Sequence, residues 1–124
     1  MANILIIDDE HELRDMMGRF ISSLGHKVVA ASGGDEGSRI LSTPDKVDLV
    51  ITDIVMADGD GLEVISTIRK SGVSLPVIAV SGGCRLPGDV YLKLAEHLGA
   101  DRVLDKPFSL ASLQATINEL IATG

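Results

Sequence analysis

Short aliphatic runs alternate along this chain with longer stretches whose apolar residues recur every three or four positions. Residues 3–7 form the first run, and a cluster of acids, Asp8-Asp9-Glu10, follows it. Leu13, Met16, Met17, Phe20, Ile21 and Leu24 then mark one face of an amphipathic helix, with Gly25 just past its end as a C-cap. Residues 27–31 read as a second strand, and Ser32-Gly33-Gly34 as a loop. Gly37, Ile40 and Leu41 predict a second helix, weakened by the glycine inside it. Thr43-Pro44-Asp45 breaks it. The run from Asp48 to Asp53 is too short for a helix, and its Val and Ile favour a buried strand that ends in a carboxylate.

The second half repeats the alternation. Leu62, Val64, Ile65 and Ile68 predict a third helix, stopped by Gly72. Residues 76–80 predict a fourth strand with Pro76 at its first position, where a missing N–H is tolerated. A loop with Ser81-Gly82-Gly83, Cys84, Arg85 and Pro87 leads to a fourth helix bearing Val90, Tyr91, Leu94, Ala95 and Leu98, with Gly99 after it. Residues 102–104 predict a fifth strand. Ser109 is a plausible N-cap for a last helix carrying Leu110, Leu113, Ile117, Leu120 and Ile121. Five strand–helix units in strict alternation predict an α/β fold with a parallel sheet covered on both faces. The commonest arrangement is the doubly wound, flavodoxin-like order 2-1-3-4-5, a three-layer sandwich. The expectation is one domain over residues 1–124, with no output domain attached.

Composition narrows the function classes. The chain has no Trp, one Tyr and two Phe, so the core is aliphatic and stacking platforms for single-stranded nucleic acid are missing. A net charge of −7 gives no attraction to nucleic acid or anionic lipid. Cys84 is the only cysteine, which excludes an internal disulfide. No apolar run reaches the length of a membrane span, and no signal-peptide pattern opens the sequence. A cytoplasmic protein without membrane insertion is the default expectation.

The predicted strand order brings the chemistry to one edge. Asp8-Asp9 end strand 1, Asp53 ends strand 3, Ser81 ends strand 4 and Lys106 follows strand 5. Crowded carboxylates raise one another's pKa unless a cation intervenes. Mg²⁺ takes oxygen ligands, commonly one or two carboxylates together with a phosphate oxygen. Lys106 is a point charge suited to phosphate, and Ser81 offers a hydroxyl. Asp53 is a possible nucleophile toward phosphorus. Metal, lysine and hydroxyl would stabilise the charge spread over a transferring phosphoryl group.

This ordered set resembles the receiver domain of bacterial two-component response regulators. The matching residues are Asp8-Asp9, Asp53-Ile54-Val55-Met56, Gly61, Ser81, the stretch 98–101 and Lys106-Pro107-Phe108. The resemblance covers essentially the whole chain. It implies that Asp53 accepts a phosphoryl group from a sensor histidine kinase or a histidine phosphotransfer protein. It implies that Asp9 and Asp53 ligate Mg²⁺ directly, with the backbone carbonyl of Val55 as a third ligand and Asp8 holding metal-bound water. Ser81 is then the switch hydroxyl, Lys106 its cationic partner, and Lys106–Pro107 a cis peptide. A receiver of this kind signals by contact with a downstream protein and is not a multiple-turnover enzyme.

The chain also departs from that pattern. Ala57 stands where Pro is usual and Gly82 where Ala is common. Ser81 and Lys106 lie 25 positions apart, with extra residues in the 82–88 loop. Val103 replaces the customary aromatic, so a signal is expected to leave through the long loop and the fourth helix. Blander readings stand beside these roles. Acids at 8–10 also suit the positive end of a helix, Asp58 and Asp60 suit a turn, and His11, His26 and His97 read as surface residues without ligand spacing for zinc. Cys84 reads as a plain surface thiol and Leu92 as a scattered exposed residue. Three other readings use this chemistry or fold. A Mg²⁺-dependent phosphohydrolase would need a substrate-binding cap. A flavin or nucleotide module would need an N–H-rich phosphate loop, whereas the loop after strand 1 is acidic. A receiver-fold binding module that is never phosphorylated would not need the acidic pair, Ser81 and Lys106.

Overall fold

The computed structural model describes residues 2–42, 46–54, 61–72, 74–81, 93, 96–97 and 99–121. Five strands form one sheet: β1 (Asn3–Ile7), β2 (Lys27–Ala31), β3 (Leu49–Asp53), β4 (Val77–Ser81) and β5 (Arg102–Asp105). All neighbouring pairs are parallel, in the order β2-β1-β3-β4-β5. Four helices have defined limits: α1 (His11–Ser23), α2 (Gly34–Leu41), α3 (Gly61–Lys70) and α4 (Leu110–Ile121), the last being the fifth helix of the sequence expectation. The 82–89 loop with Cys84, Arg85 and Pro87, and Val90, Tyr91, Leu92, Leu94, Ala95 and Leu98 of the fourth predicted helix, lie outside the described residues. So do Thr43-Pro44-Asp45, Val55, Met56, Ala57, Asp58 and Asp60. No helix among the described residues is long and apolar enough to cross a membrane.

The central strands are continuous apolar runs because each face of the sheet is covered. On β1, Leu5 and Ile7 join a core with Val50, Val77 and Ala79 under Val64, Ile65 and Ile68 of α3. Ile4 and Ile6 point to the other face, where Ile51, Ile78 and Val80 meet Met17 and Ile21 of α1 and Leu113 and Ile117 of α4. This period-two division is what makes helices on both faces obligatory. Gly25, Gly72 and Gly99 have positive φ at the helix ends the sequence assigned to them. The Ser109 hydroxyl accepts a hydrogen bond from the Ser112 N–H at 3.0 Å, capping α4.

Several local expectations are corrected. Met16 and Leu110 lie at the margins of their helical stripes and are 45% and 37% exposed. Gly34 is already helical. Pro76 precedes β4, but its carbonyl still accepts from the Val50 N–H at 3.0 Å. His26 is half-buried, and its Nδ1 accepts from the Ala2 N–H at 3.1 Å. Gly37 is no mere weak point of α2: a Cβ there would run into the Ile7 side chain. The small residue lets α2 lie close on β1.

Candidate functional site

The sheet register assembles the site. Ile7 pairs with Thr52, so the next residues, Asp8 and Asp53, leave adjacent strands at the same level. The Asp8 N–H still reaches the Ala31 carbonyl (3.1 Å) and the Ile54 N–H reaches Val80 (3.0 Å). Both acids are thereby held by the last rungs of the ladder. Ser81 pairs with Asp105, which puts Lys106 one step beyond the same edge. This is the carboxyl edge of a parallel sheet, where ligand sites of such folds lie.

Asp8 and Asp53 are buried, with exposures of 1% and 7%, and Asp9 is exposed. One carboxylate oxygen from each of Asp8, Asp9 and Asp53 lies within 4.8 Å of the others. Two ionised carboxylates at that distance repel by roughly 3–4 kcal/mol at the effective dielectric of a protein surface. Among the described residues, the Lys106 ammonium answers Asp8 and Asp53. Lys106 Nζ lies 3.4 Å from Asp53 Oδ2, 3.6 Å from Asp8 Oδ2 and 3.9 Å from Glu10 Oε2. Burial pushes the Asp53 carboxyl up to about 6, against the pull of Lys106 and with a push from Asp8. Burial likewise raises Asp8, opposed by the Glu10 N–H and Lys106. For Lys106, burial favours the neutral amine, but Asp53, Asp8 and Glu10 together outweigh it and the pKa rises.

Its donor set fits Mg²⁺. Asp8 Oδ1 accepts from the Glu10 N–H at 2.8 Å, whereas Asp8 Oδ2 is buried without a hydrogen-bond partner. A buried, unsatisfied carboxylate oxygen beside two more carboxylates is costly by itself and suited to a hard cation. Asp8, Asp9 and Asp53 would hold the ion. Val55 lies outside the described residues, and Ser81 is described only as the end of β4. Lys106–Pro107 is cis.

Two contributors were not assigned a part from sequence. Glu10 faces Lys106 as a third anion, a role indistinguishable from a helix-start acid until β5 is placed beside it. Gly61 donates its N–H to the Ile54 carbonyl at 2.9 Å, and a Cβ there would collide with the Asp53 carbonyl oxygen. A glycine eight residues after Asp53 was the available signal; its contact was not.

Comparison with known proteins gives a consistent answer. The response regulator receiver domain family matches residues 4–118. The transcriptional regulatory protein GlrR of Escherichia coli (strain K12) is 33% identical over 120 residues, which cover 97% of this chain and 26% of that protein. The response regulator SaeR of Staphylococcus aureus (strain USA300) is 29% identical over 121 residues, covering 98% of this chain and 51% of that one. The chain thus spans about a quarter to a half of the length of these curated relatives. Among solved structures, the receiver domain of NtrX from Brucella abortus superposes with a TM-score of 0.87 at 28% identity, over 98% of this chain and 99% of that one. A response regulator receiver domain protein from Clostridium thermocellum does so with 0.87 at 32%, over 99% and 96%.

Proposed function

This chain belongs to the response regulator receiver domain family, and from that membership we propose that Asp53 is its phosphoryl acceptor. Receiver domains are phosphorylation-dependent switches of two-component signalling, and that is the class of function to which the chain belongs. The donor is a phosphohistidine on a sensor histidine kinase or a histidine phosphotransfer protein. An Asp53 carboxylate oxygen attacks phosphorus, a P–O bond forms, and the P–N bond to the donor imidazole breaks. The imidazole nitrogen keeps the electron pair. With its pKa at about 6, the Asp53 carboxyl is mostly ionised at neutral pH, as a nucleophile must be.

The observation that carries this reading is the Asp53 carboxylate at the end of a central strand, 3.4 Å from an ammonium and grouped with two further carboxylates. Lys106 then passes from Asp53 to a phosphoryl oxygen, and the Ser81 hydroxyl donates to another. When bound by Asp9, Asp53, the Val55 carbonyl and, through water, Asp8, Mg²⁺ supplies the charge that neutralises the phosphoryl oxygens. Asp8 keeps the β1 end of the site fixed while Asp53 reacts.

Phosphorylation adds a dianionic group at the sheet edge, which biases a surface read by a downstream protein. Val103 is half-buried in the core on the α3 side, so no aromatic rotamer at that position relays the change. The chain's charge of −7 agrees with a protein partner and no nucleic acid. The test is intact-mass spectrometry after incubation with acetyl phosphate, with and without Mg²⁺, on the native chain and Asp53→Asn. One Mg²⁺-dependent phosphoryl adduct, lost in the variant, is expected. An adduct that persists in Asp53→Asn, or a native chain that takes neither phosphoryl nor beryllofluoride, refutes the assignment.

A further inference from the structure

We infer that Arg14 is a positioning residue for this acidic site: its guanidinium braces the turn that carries Asp9. The inference rests on the reading of Asp8, Asp9 and Asp53 as a Mg²⁺ site.

The chain must pass from β1 to α1 through only Asp8, Asp9 and Glu10. Glu10 is the N-cap of α1 and makes no side-chain capping hydrogen bond, so the usual local lock on a helix start is missing. Beside the ion pairs of Asp8 and Glu10 with Lys106, three hydrogen bonds among the described residues hold the turn. The Asp8 N–H donates to the Ala31 carbonyl at 3.1 Å, the Glu10 N–H donates to Asp8 Oδ1 at 2.8 Å, and Arg14 Nη1 donates to the Asp8 carbonyl at 2.9 Å. The first two use Asp8 and its immediate neighbours. Of these three, only the Arg14 bond ties the turn to the body of α1.

Its base is firm, because the Arg14 N–H makes the first helical hydrogen bond, to Glu10 O, at 3.0 Å. Its second prong, Nη2, lies 2.9 Å from His11 Nδ1. Arginine has only donors, so Nδ1 is the acceptor in that bond; the other ring nitrogen, Nε2, lies 3.8 Å from Asp15 Oδ2. The planar fork therefore grips the strand end with one prong and the first turn of the helix with the other. Asp53 stands on a fully buried strand and needs no such brace. Asp9 is exposed in the middle of the turn, so the path of the turn sets where its carboxylate starts from, beside those of Asp8 and Asp53. If the turn loosens, Asp8 Oδ1 also loses the Glu10 N–H.

Charge and position make opposite predictions. A cation this close repels Mg²⁺, so if charge were all that mattered, removing Arg14 would tighten metal binding. If the brace matters, removal weakens it, and Arg14→Lys weakens it too, because an ammonium keeps the charge but cannot span two acceptors as a fork.

The experiment is a Mg²⁺ titration at fixed ionic strength, followed by backbone amide NMR, of the native chain, Arg14→Lys, Arg14→Gln and Arg19→Gln on the exposed side of α1. Hydrogen exchange of the Glu10 amide is measured beside it without metal. We expect Kd to rise about tenfold or more in both Arg14 variants, as when a ligand's supporting shell is lost. We expect the Glu10 amide to exchange faster in both, and Arg19→Gln to bind no more weakly than the native chain. Native or tighter binding by Arg14→Gln, or full recovery in Arg14→Lys, overturns the inference. Should Arg14→Gln fail to fold, the milder Arg14→Lys decides between the same outcomes. A native chain that binds no Mg²⁺ refutes the metal site instead. The Glu10 amide then still decides the brace: faster exchange in Arg14→Lys supports it, and unchanged exchange overturns it.

Discussion

Replacing Asp53 by Asn should stabilise the metal-free protein at neutral pH. The folded state raises the Asp53 carboxyl from 3.8 to about 6, chiefly by burial. Each unit is worth about 1.4 kcal/mol, so ionising this group in the folded chain costs at most about 3 kcal/mol relative to the unfolded one. Water at the rim of the site screens part of this, and a gain of about 1–2 kcal/mol is the expected observation. The sign follows from proton binding. Between about pH 4 and 6 the folded chain holds a proton on Asp53 that the unfolded chain has released, so native stability falls as pH rises through that window. Asn has no such proton to lose. Its advantage should be absent below about pH 4, grow to about pH 6, and stay level above it. With no Trp and one Tyr in the chain, urea unfolding is best followed by far-UV circular dichroism, in EDTA, across that range. Mg²⁺ added at neutral pH should stabilise the native chain more than the variant and narrow the gap. A variant no more stable than the native chain at neutral pH, or a gap that does not change with pH, would refute the reasoning.

Gly61→Ala places a Cβ 2.8 Å from both the Asp53 carbonyl carbon and Ile54 Cα. Because these are backbone atoms at the end of a buried strand, the strand must give way. The expected loss is about 1–3 kcal/mol in urea unfolding with slower phosphorylation by acetyl phosphate, and an unchanged midpoint would count against it. At the opposite edge of the sheet, Arg69 donates to Gly99 O (2.9 Å), Leu75 O (2.7 Å) and Asp101 Oδ2 (2.7 Å). Arg69→Met should cost about 2–3 kcal/mol, and Arg69→Lys should not restore it, since one ammonium cannot reach three acceptors. Phosphorylation by acetyl phosphate should persist in folded Arg69→Met; its loss would show that the clamp also shapes the site.

How much was legible in the sequence differs from element to element, for reasons that can be stated. The limits of β1 and β2 were readable because residues 3–7 and 27–31 are apolar runs closed by acids or glycines, and both signals are local. Helix ends at Gly25, Gly72 and Gly99 were readable because positive φ selects glycine almost alone. The convergence of Asp8, Asp53 and Lys106 was inferable from five alternating units and the resemblance to receivers, since a parallel sheet gathers every strand's carboxyl end at one edge. Other features depended on neighbours distant in sequence. Met16 and Leu110 fit an apolar stripe, yet a stripe does not say how wide the contact beneath it is, and both lie beyond its margin. Gly37 looked like a defect until Ile7 was found packed where its side chain would be. Glu10 and Arg14 had no partners until strand register set Lys106 against the first and α1 swung the second back over Asp8. The pKa of Asp53 is of the same kind. A carboxylate after an apolar run is written in the chain, but its burial and the Lys106 ammonium 3.4 Å away exist only in the fold. Periodicity and punctuation act over a few residues, so the sequence by itself determined the elements and the types of group at their ends. Electrostatics and packing act between residues dozens of positions apart, so only the tertiary structure decided how those groups are charged, braced and aimed.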